Sequence, residues 1–232
     1  MHLVLLPGMD GTGRLFEPIL GCFPPGLRTV VVAYPPDIAR YDDLMPIVRA
    51  ALPPDDPFVI VGESFSGPLA VRVAAGNPRG LRALVLIASF VRPPARWPFP
   101  ALRAAVVGPS VAVVPWRVQA RFLLGRNPDP QLLARVREVV GSVPSATMAG
   151  RIREVLREDV SGAVAGVRGP ILYLRASRDA IVPRRCDFLI AELAPHARIE
   201  EIDGPHLLLQ ASPGLAAASI TAFVRPLMQS QA

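Results

Sequence analysis

Six short apolar runs, separated by stretches of helical periodicity, limit this chain's architecture more than any other feature. They are His2–Leu6, Arg28–Tyr34, Phe58–Val61, Leu81–Ala88, Ile171–Ala176 and Arg198–Ile202. Their nearly continuous apolar character is that of strands buried on both faces, as in a parallel sheet. Helical patterns fit between them at Asp42–Ala51, Phe65–Ala75, Arg184–Leu193 and Pro213–Met228. This alternation predicts an α/β fold with a doubly wound, mostly parallel sheet of about six strands. Such sheets bind ligands at the carboxyl ends of their strands. The 232 residues fit one domain, large enough to bury a core without disulfides or a metal.

The alternation breaks between Val91 and Arg168. The segment opens on VRPPARWPFP and continues with helical patterns and no clear strand. In PDPQLLARVREVV, Asp129 stands as an N-cap with a proline in the first turn. Apolar residues follow at Leu132, Leu133, Val136, Val139 and Val140. ATMAGRIREVLRED continues in the same style. Residues 91–169 are therefore expected to form a helical cap or lid over the carboxyl edge of the sheet. Residues 1–90 and 170–232 would form the core. The plainer alternative is a further set of core helices. Trp97, Phe99 and Trp116 could line a pocket or fill the insertion's own interior.

Composition excludes several classes. Apolar residues make up 51% and charged residues 19%, so the chain is not disordered. The net charge is +6, yet every basic residue is arginine, a bias of coding composition that raises the charge without implying a ligand. Aromatic and basic residues do not interleave, which argues against nucleic-acid binding. Cys22 and Cys186 are expected to be small buried apolar residues in a reducing compartment. With three histidines they offer no zinc spacing. MHLVLLPGMDGTG lacks the basic flank and apolar length of a signal peptide. The long uncharged stretches contain Gly and Pro and do not read as membrane spans. A soluble, cytoplasmic protein is the expectation.

Four segments carry chemistry. In FVIVGESFSGPLAVRVAA a buried strand ends at Val61, Gly62 permits a sharp turn, and Ser64 sits at the apex before a helix. Ser66, Gly67 and Ala70 are small enough for that helix to pack closely on the strand. The geometry is a strained strand-to-helix elbow with one exposed hydroxyl above the positive end of a helix. The plainer reading is a helix-capping serine. In HLVLLPGMDGTGRLF a strand runs into a Gly-rich turn. A nucleotide loop is discounted, because Gly11-Thr12-Gly13 is followed by Arg14-Leu15-Phe16 and no Gly-Lys-Ser/Thr occurs. In PILYLRASRDAIVP, Asp179 lies just past a strand, where a carboxylate can orient an imidazole. In EEIDGPHLLLQASP, His206 alone of the three histidines follows a strand's carboxyl end. Asp10 and Glu63 are assigned structural roles, with the Glu63 side chain pointing away.

The GESFSG segment resembles the nucleophile elbow of the α/β-hydrolase family, usually G-x-S-x-G, with Ser66 in place of the last glycine. LPGMDGTG is similar to a subgroup of that family containing acyltransferases and bacterial esterases. The chain order Ser64, Asp179, His206 is that of the family's triad. The resemblance implies backbone N–H donors from Met9 and Phe65 as an oxyanion hole. It implies a serine hydrolase that cleaves a small-molecule carboxylic ester through an acyl-enzyme, with no cofactor or metal. Two alternatives stand beside it: a thioesterase or acyltransferase using the same intermediate, and a non-catalytic ligand-binding homologue.

The interrupting segment, Arg92 to Arg168, holds twelve arginines against five acids, a net charge of +7. A solvated helical face accounts for this plainly. The sharper expectation is a docking surface, including Arg151 and Arg153, for an acidic acyl carrier protein steered by charge.

Overall fold

The computed structural model describes residues 1–94 and 115–229. Among them, β1 (His2–Leu6), β2 (Arg28–Val31), β3 (Phe58–Glu63), β4 (Leu81–Ile87), β5 (Ile171–Ala176) and β6 (Arg198–Ile202) form one parallel sheet. Its order is β2-β1-β3-β4-β5-β6. The four inner strands are the most apolar and most buried, interrupted by Glu63 in β3, Arg82 in β4 and Arg175 in β5, as expected of strands covered on both faces. The two edge strands are not buried throughout: β2 exposes Arg28 and Val31, and β6 exposes Arg198 and Glu201. The expected strand through Tyr34 stops at Val31. The Val32 N–H still reaches the Leu5 carbonyl, but the Tyr34 N–H turns to the Gly11 carbonyl at 2.7 Å. Tyr34 thus leaves the sheet and joins the loop after β1.

Alternate strand residues feed two apolar layers. Val4, Leu6, Ile60, Leu84 and Tyr173 meet α2 (Tyr41–Ala50), α3 (Gly67–Ala75) and α8 (Arg185–Leu193) on one face. Leu3, Leu5, Val59, Val85 and Leu172 meet α1 (Glu17–Leu20), α9 (Leu208–Ala211) and α10 (Pro213–Gln229) on the other. Period-two side-chain alternation makes one sheet serve both layers. Cys186 is buried on α8, but Cys22 is exposed at the end of α1, which corrects the expectation for that residue.

Between β4 and β5 the described residues form α4 (Trp116–Leu124), α5 (Pro130–Gly141), α6 (Ser145–Val155) and α7 (Ser161–Val164). Asp129 caps α5 as its sequence suggests, accepting from the Gln131 and Leu132 N–H groups at 3.0 and 2.9 Å. Leu124, Val136 and Val139 make a third apolar cluster with Leu15 and Leu207, and Trp116 packs on it. Trp97 and Phe99 lie outside the described residues. Arg14 pairs with Glu138 and Arg135 with Glu17, tying α5 to the segment after β1. No described helix is long and apolar enough to cross a membrane.

Candidate active site

The chain leaves β1 for β2 on one side and returns to β3 on the other. The loops after β1 and β3 therefore part at a topological switch point, the place where open parallel sheets bind their ligands. Leu6 pairs with Gly62, which sets the Pro7–Gly13 loop beside Ser64.

The turn at Ser64 is strained: its φ is 47°, a left-handed conformation unusual for a residue with a Cβ. Close packing holds it. A Cβ on Gly62 would stand 2.8 Å from the Ala70 Cβ and 2.9 Å from the Ser66 carbonyl oxygen, so only glycine lets α3 rest on β3 here. A Cβ on Gly67 would overlap the Ser89 side chain, whose hydroxyl donates to the Ser64 carbonyl at 2.6 Å. Ser66, where the family pattern has glycine, is buried. Its hydroxyl donates to the Pro7 carbonyl. With that proton committed, the Tyr34 hydroxyl is the donor in its 2.7 Å bond to Ser66 Oγ. The Tyr41 hydroxyl donates to the Phe65 carbonyl at 2.7 Å while its ring stacks on Phe65.

Asp179 and His206 come from neighbouring loops joined above the sheet. The Ser177 N–H donates to Ile202 O and the Arg178 N–H to Gly204 O, both at 2.9 Å. Asp179 Oδ1 accepts from the Ile181 and Val182 N–H groups at 2.8 Å, which fixes the carboxylate. Asp179 thus anchors its own turn and also faces His206. His206 Nδ1 lies 2.9 Å from Asp179 Oδ2, and Nε2 lies 2.9 Å from Ser64 Oγ. A carboxylate only accepts, so Nδ1 carries the proton and Nε2 of the neutral ring accepts from the serine hydroxyl. The side chains of His206 and Asp179 are only 4% and 5% exposed, whereas Ser64 is half-buried. The relay is sealed from behind and open at the hydroxyl.

Met9 is half-buried, and its N–H enters no hydrogen bond among the described residues. The Phe65 N–H lies in the first turn of the helix after Ser64, where such groups have no partner within the helix. Asp10 folds back on its own turn, accepting from the Thr12 N–H at 2.8 Å and from the Thr12 hydroxyl.

Three residues acquire positions that the sequence reading did not give them. Glu63 is fully buried, with Oε1 accepting from Gln210 Nε2 at 3.0 Å on α9. Burial pushes its carboxyl up to about 7, partly offset by the Gln210 bond. A glutamate inside an otherwise apolar strand end was the available signal. Gln210 lies four residues past His206 and had none. Arg151 corrects the docking expectation: it is 0% exposed, so it belongs to no docking surface. Its partner in that expectation, Arg153, is half-buried on the same helix.

Residues 2–219 match the model of the alpha/beta hydrolase family. The chain is 31% identical over 219 residues to a pimeloyl-[acyl-carrier protein] methyl ester esterase from Xanthomonas campestris pv. campestris, covering 87% of this chain and 86% of that protein. A hydrolase from Oleispira antarctica superposes with a TM-score of 0.84 at 13% identity, over 97% of this chain and 90% of that one. The enol-lactonase from Burkholderia xenovorans LB400 gives 0.82 at 15% identity, over 97% and 91%. With a matched model spanning nearly its whole length, the chain belongs to the alpha/beta hydrolase family.

Proposed function

We propose that this protein is a serine hydrolase that cleaves a carboxylic ester through an acyl-enzyme. The observation that carries the reading is the continuous hydrogen-bonded series from Ser64 Oγ through His206 to Asp179 at the switch point. Ser64 Oγ attacks the acyl carbon as its proton passes to His206 Nε2. Asp179 holds the imidazole by Nδ1 and stabilises its charged form. The oxyanion of the tetrahedral intermediate is bound by the Met9 and Phe65 N–H groups. Collapse breaks the ester C–O bond, and His206 returns the proton to the departing alcohol oxygen. Water then attacks the acyl-enzyme by the same route, releasing the acid and restoring Ser64. These steps call on no cofactor or metal. Residues 91–169 act in this reading as a cap over the carboxyl edge of the sheet.

The test is Ser64→Ala. Turnover of p-nitrophenyl esters of graded chain length should fall on the order of a millionfold. Labelling by a fluorophosphonate should vanish with it, while the fold is retained. Undiminished turnover in that variant would refute the assignment.

A second reading names a carrier-bound ester as substrate. It is favoured by the 31% identical relative and by the charge of the inserted segment. Arg117, Arg121, Arg126 and Arg137 line one groove on α4 and α5, where Glu138 is the sole lining acid among the described residues and is held by Arg14. Reversing the charge of Arg117 and Arg121 should slow hydrolysis of an acyl-carrier ester and leave a small neutral ester unaffected. Raised salt should do the same, since such steering is screened within about 8 Å at physiological ionic strength.

A further inference from the structure

Arg151 is a buried guanidinium that makes no direct ion pair with a carboxylate among the described residues. It reaches from α6, on the inserted segment, into the loops that follow β1 and β2. Nη1 donates to the Met9 and Asp10 carbonyls, both at 2.9 Å. Nη2 donates to the Pro35 and Ile38 carbonyls at 3.2 and 2.9 Å, and Nε to Ile38 at 3.1 Å. These bonds use all five N–H donors of the side chain, every one on a main-chain oxygen. The guanidinium carbon also stands 5.8 Å from the Tyr34 ring centre and 5.9 Å from that of Phe65. Gly11, with φ +72°, lies so close beneath it that a Cβ there would collide with the guanidinium.

We propose that Arg151 is a positioning residue of the oxyanion hole, which holds the loop after β1 in the conformation that presents the Met9 N–H to the reacting carbonyl. The inference rests on the reading of Met9 and Phe65 as oxyanion donors. Its physical basis is the planar fork. By binding the Met9 and Asp10 carbonyls together, it fixes the two peptide units that follow the Met9 N–H. By bridging to Pro35 and Ile38, it anchors them to a second loop. Contact with the Phe65 and Tyr34 rings couples the same group to the residue bearing the other donor. A buried charge with no direct ion-pair partner is costly unless fully hydrogen-bonded; the nearby Asp10 carboxylate offsets part of that cost. The chain carries that cost where the loop must not move. The inserted segment thereby takes part in the reaction centre from behind.

The experiment compares Arg151→Lys and Arg151→Met with wild type on a p-nitrophenyl ester. It also measures affinity for an alkyl boronic acid, whose tetrahedral adduct on Ser64 resembles the transition state. Loss of a whole oxyanion donor costs about 10²–10³ in kcat. Misplacement of one donor should lower kcat by roughly 10- to 100-fold, with KM within about twofold. Boronate affinity should weaken in proportion. Lysine keeps the charge but lacks the fork, so it should not restore kcat. Added methylguanidinium should restore part of it in Arg151→Ala. If the methionine variant does not fold, the lysine variant carries the comparison. Folded variants with wild-type kcat and boronate affinity would reduce Arg151 to a structural brace and overturn the proposal, leaving the serine mechanism standing. A wild-type chain inert to both ester and fluorophosphonate would overturn the two together.

Discussion

The Ser66 hydroxyl donates to the Pro7 carbonyl, so the residue two places beyond the strained serine is bonded directly to the loop after β1. Glycine in that position could pack as closely but would leave the Pro7 carbonyl and the Tyr34 hydroxyl without this partner. The departure from the family's usual pattern thus replaces empty space with a link between the elbow and the loop bearing Met9.

That link is measurable by a double-mutant cycle. Ser66→Ala leaves two buried polar groups unpaired and should cost on the order of 1–3 kcal/mol, a Tm fall of several degrees. Tyr34→Phe removes the donor alone and should cost about 1 kcal/mol. The double variant should be little worse than Ser66→Ala, because both changes break one network. Additive losses in urea denaturation would mean that the two hydroxyls act separately.

Gly67→Ala tests the packing behind Ser64. The Gly67 backbone is helical, with φ −57°, so alanine alone should be tolerated or mildly stabilising there. The new methyl would instead strike Ser89 and displace the hydroxyl that binds the Ser64 carbonyl. Overpacking of this kind costs about 1–3 kcal/mol. Turnover should fall with stability; Ser89→Gly in the same chain removes the clash and should recover part of the stability, but without the hydroxyl on the Ser64 carbonyl it should not restore turnover fully. Failure of that rescue would locate the damage elsewhere.

Asp179→Asn should depress kcat far more than it changes KM, by up to about 10⁴-fold, because an amide can present its N–H to Nδ1 and favour the wrong tautomer. The main-chain bonds from Ile181 and Val182 to Oδ1 can still be accepted by the amide oxygen, so the turn should persist. Steady-state kinetics alongside a thermal melt separates the two effects. A silent variant would remove Asp179 from the mechanism.

What was legible in the sequence followed from backbone periodicity. The inner strands, the helices between them and the Asp129 cap are local patterns, and each is found within a residue or two of its expected place. That Ser64, His206 and Asp179 come together was legible because each lies just past a strand's carboxyl end, and a parallel sheet brings those ends to one edge. Edge position was not legible: β2 and β6 are partly exposed because of their rank in the sheet, which no single strand encodes. In the sequence Arg151 is indistinguishable from its charged neighbours, because helical periodicity alone does not say which face meets a loop more than a hundred residues earlier. Its burial depends on carbonyls at Met9, Asp10, Pro35 and Ile38, which become neighbours only in the fold.

Glu63 gives the chain a pH dependence whose sign is fixed by its surroundings. Its carboxyl is raised from 4.5 to about 7, first by burial. The Gln210 hydrogen bond opposes this, repulsion from Asp10 adds to it, and His206 and the Gly8 N–H oppose it again. Unfolded, the group loses its proton near the ordinary value; folded, it keeps the proton until near 7. Between those values the native state binds the proton more tightly, so stability declines as pH rises from about 4.5 to about 7 and is level above. The span corresponds to a loss on the order of 3 kcal/mol. Glu63→Gln is neutral at every pH and nearly the same shape. Its amide can donate to the Gln210 Oε1, which is buried and has no hydrogen-bond partner among the described residues. The variant should lack this part of the slope and be more stable than wild type at pH 8 by a similar amount, with little difference at pH 4.5. Urea denaturation of both chains at the two pH values decides it. An equal slope in the variant would assign the dependence to another group.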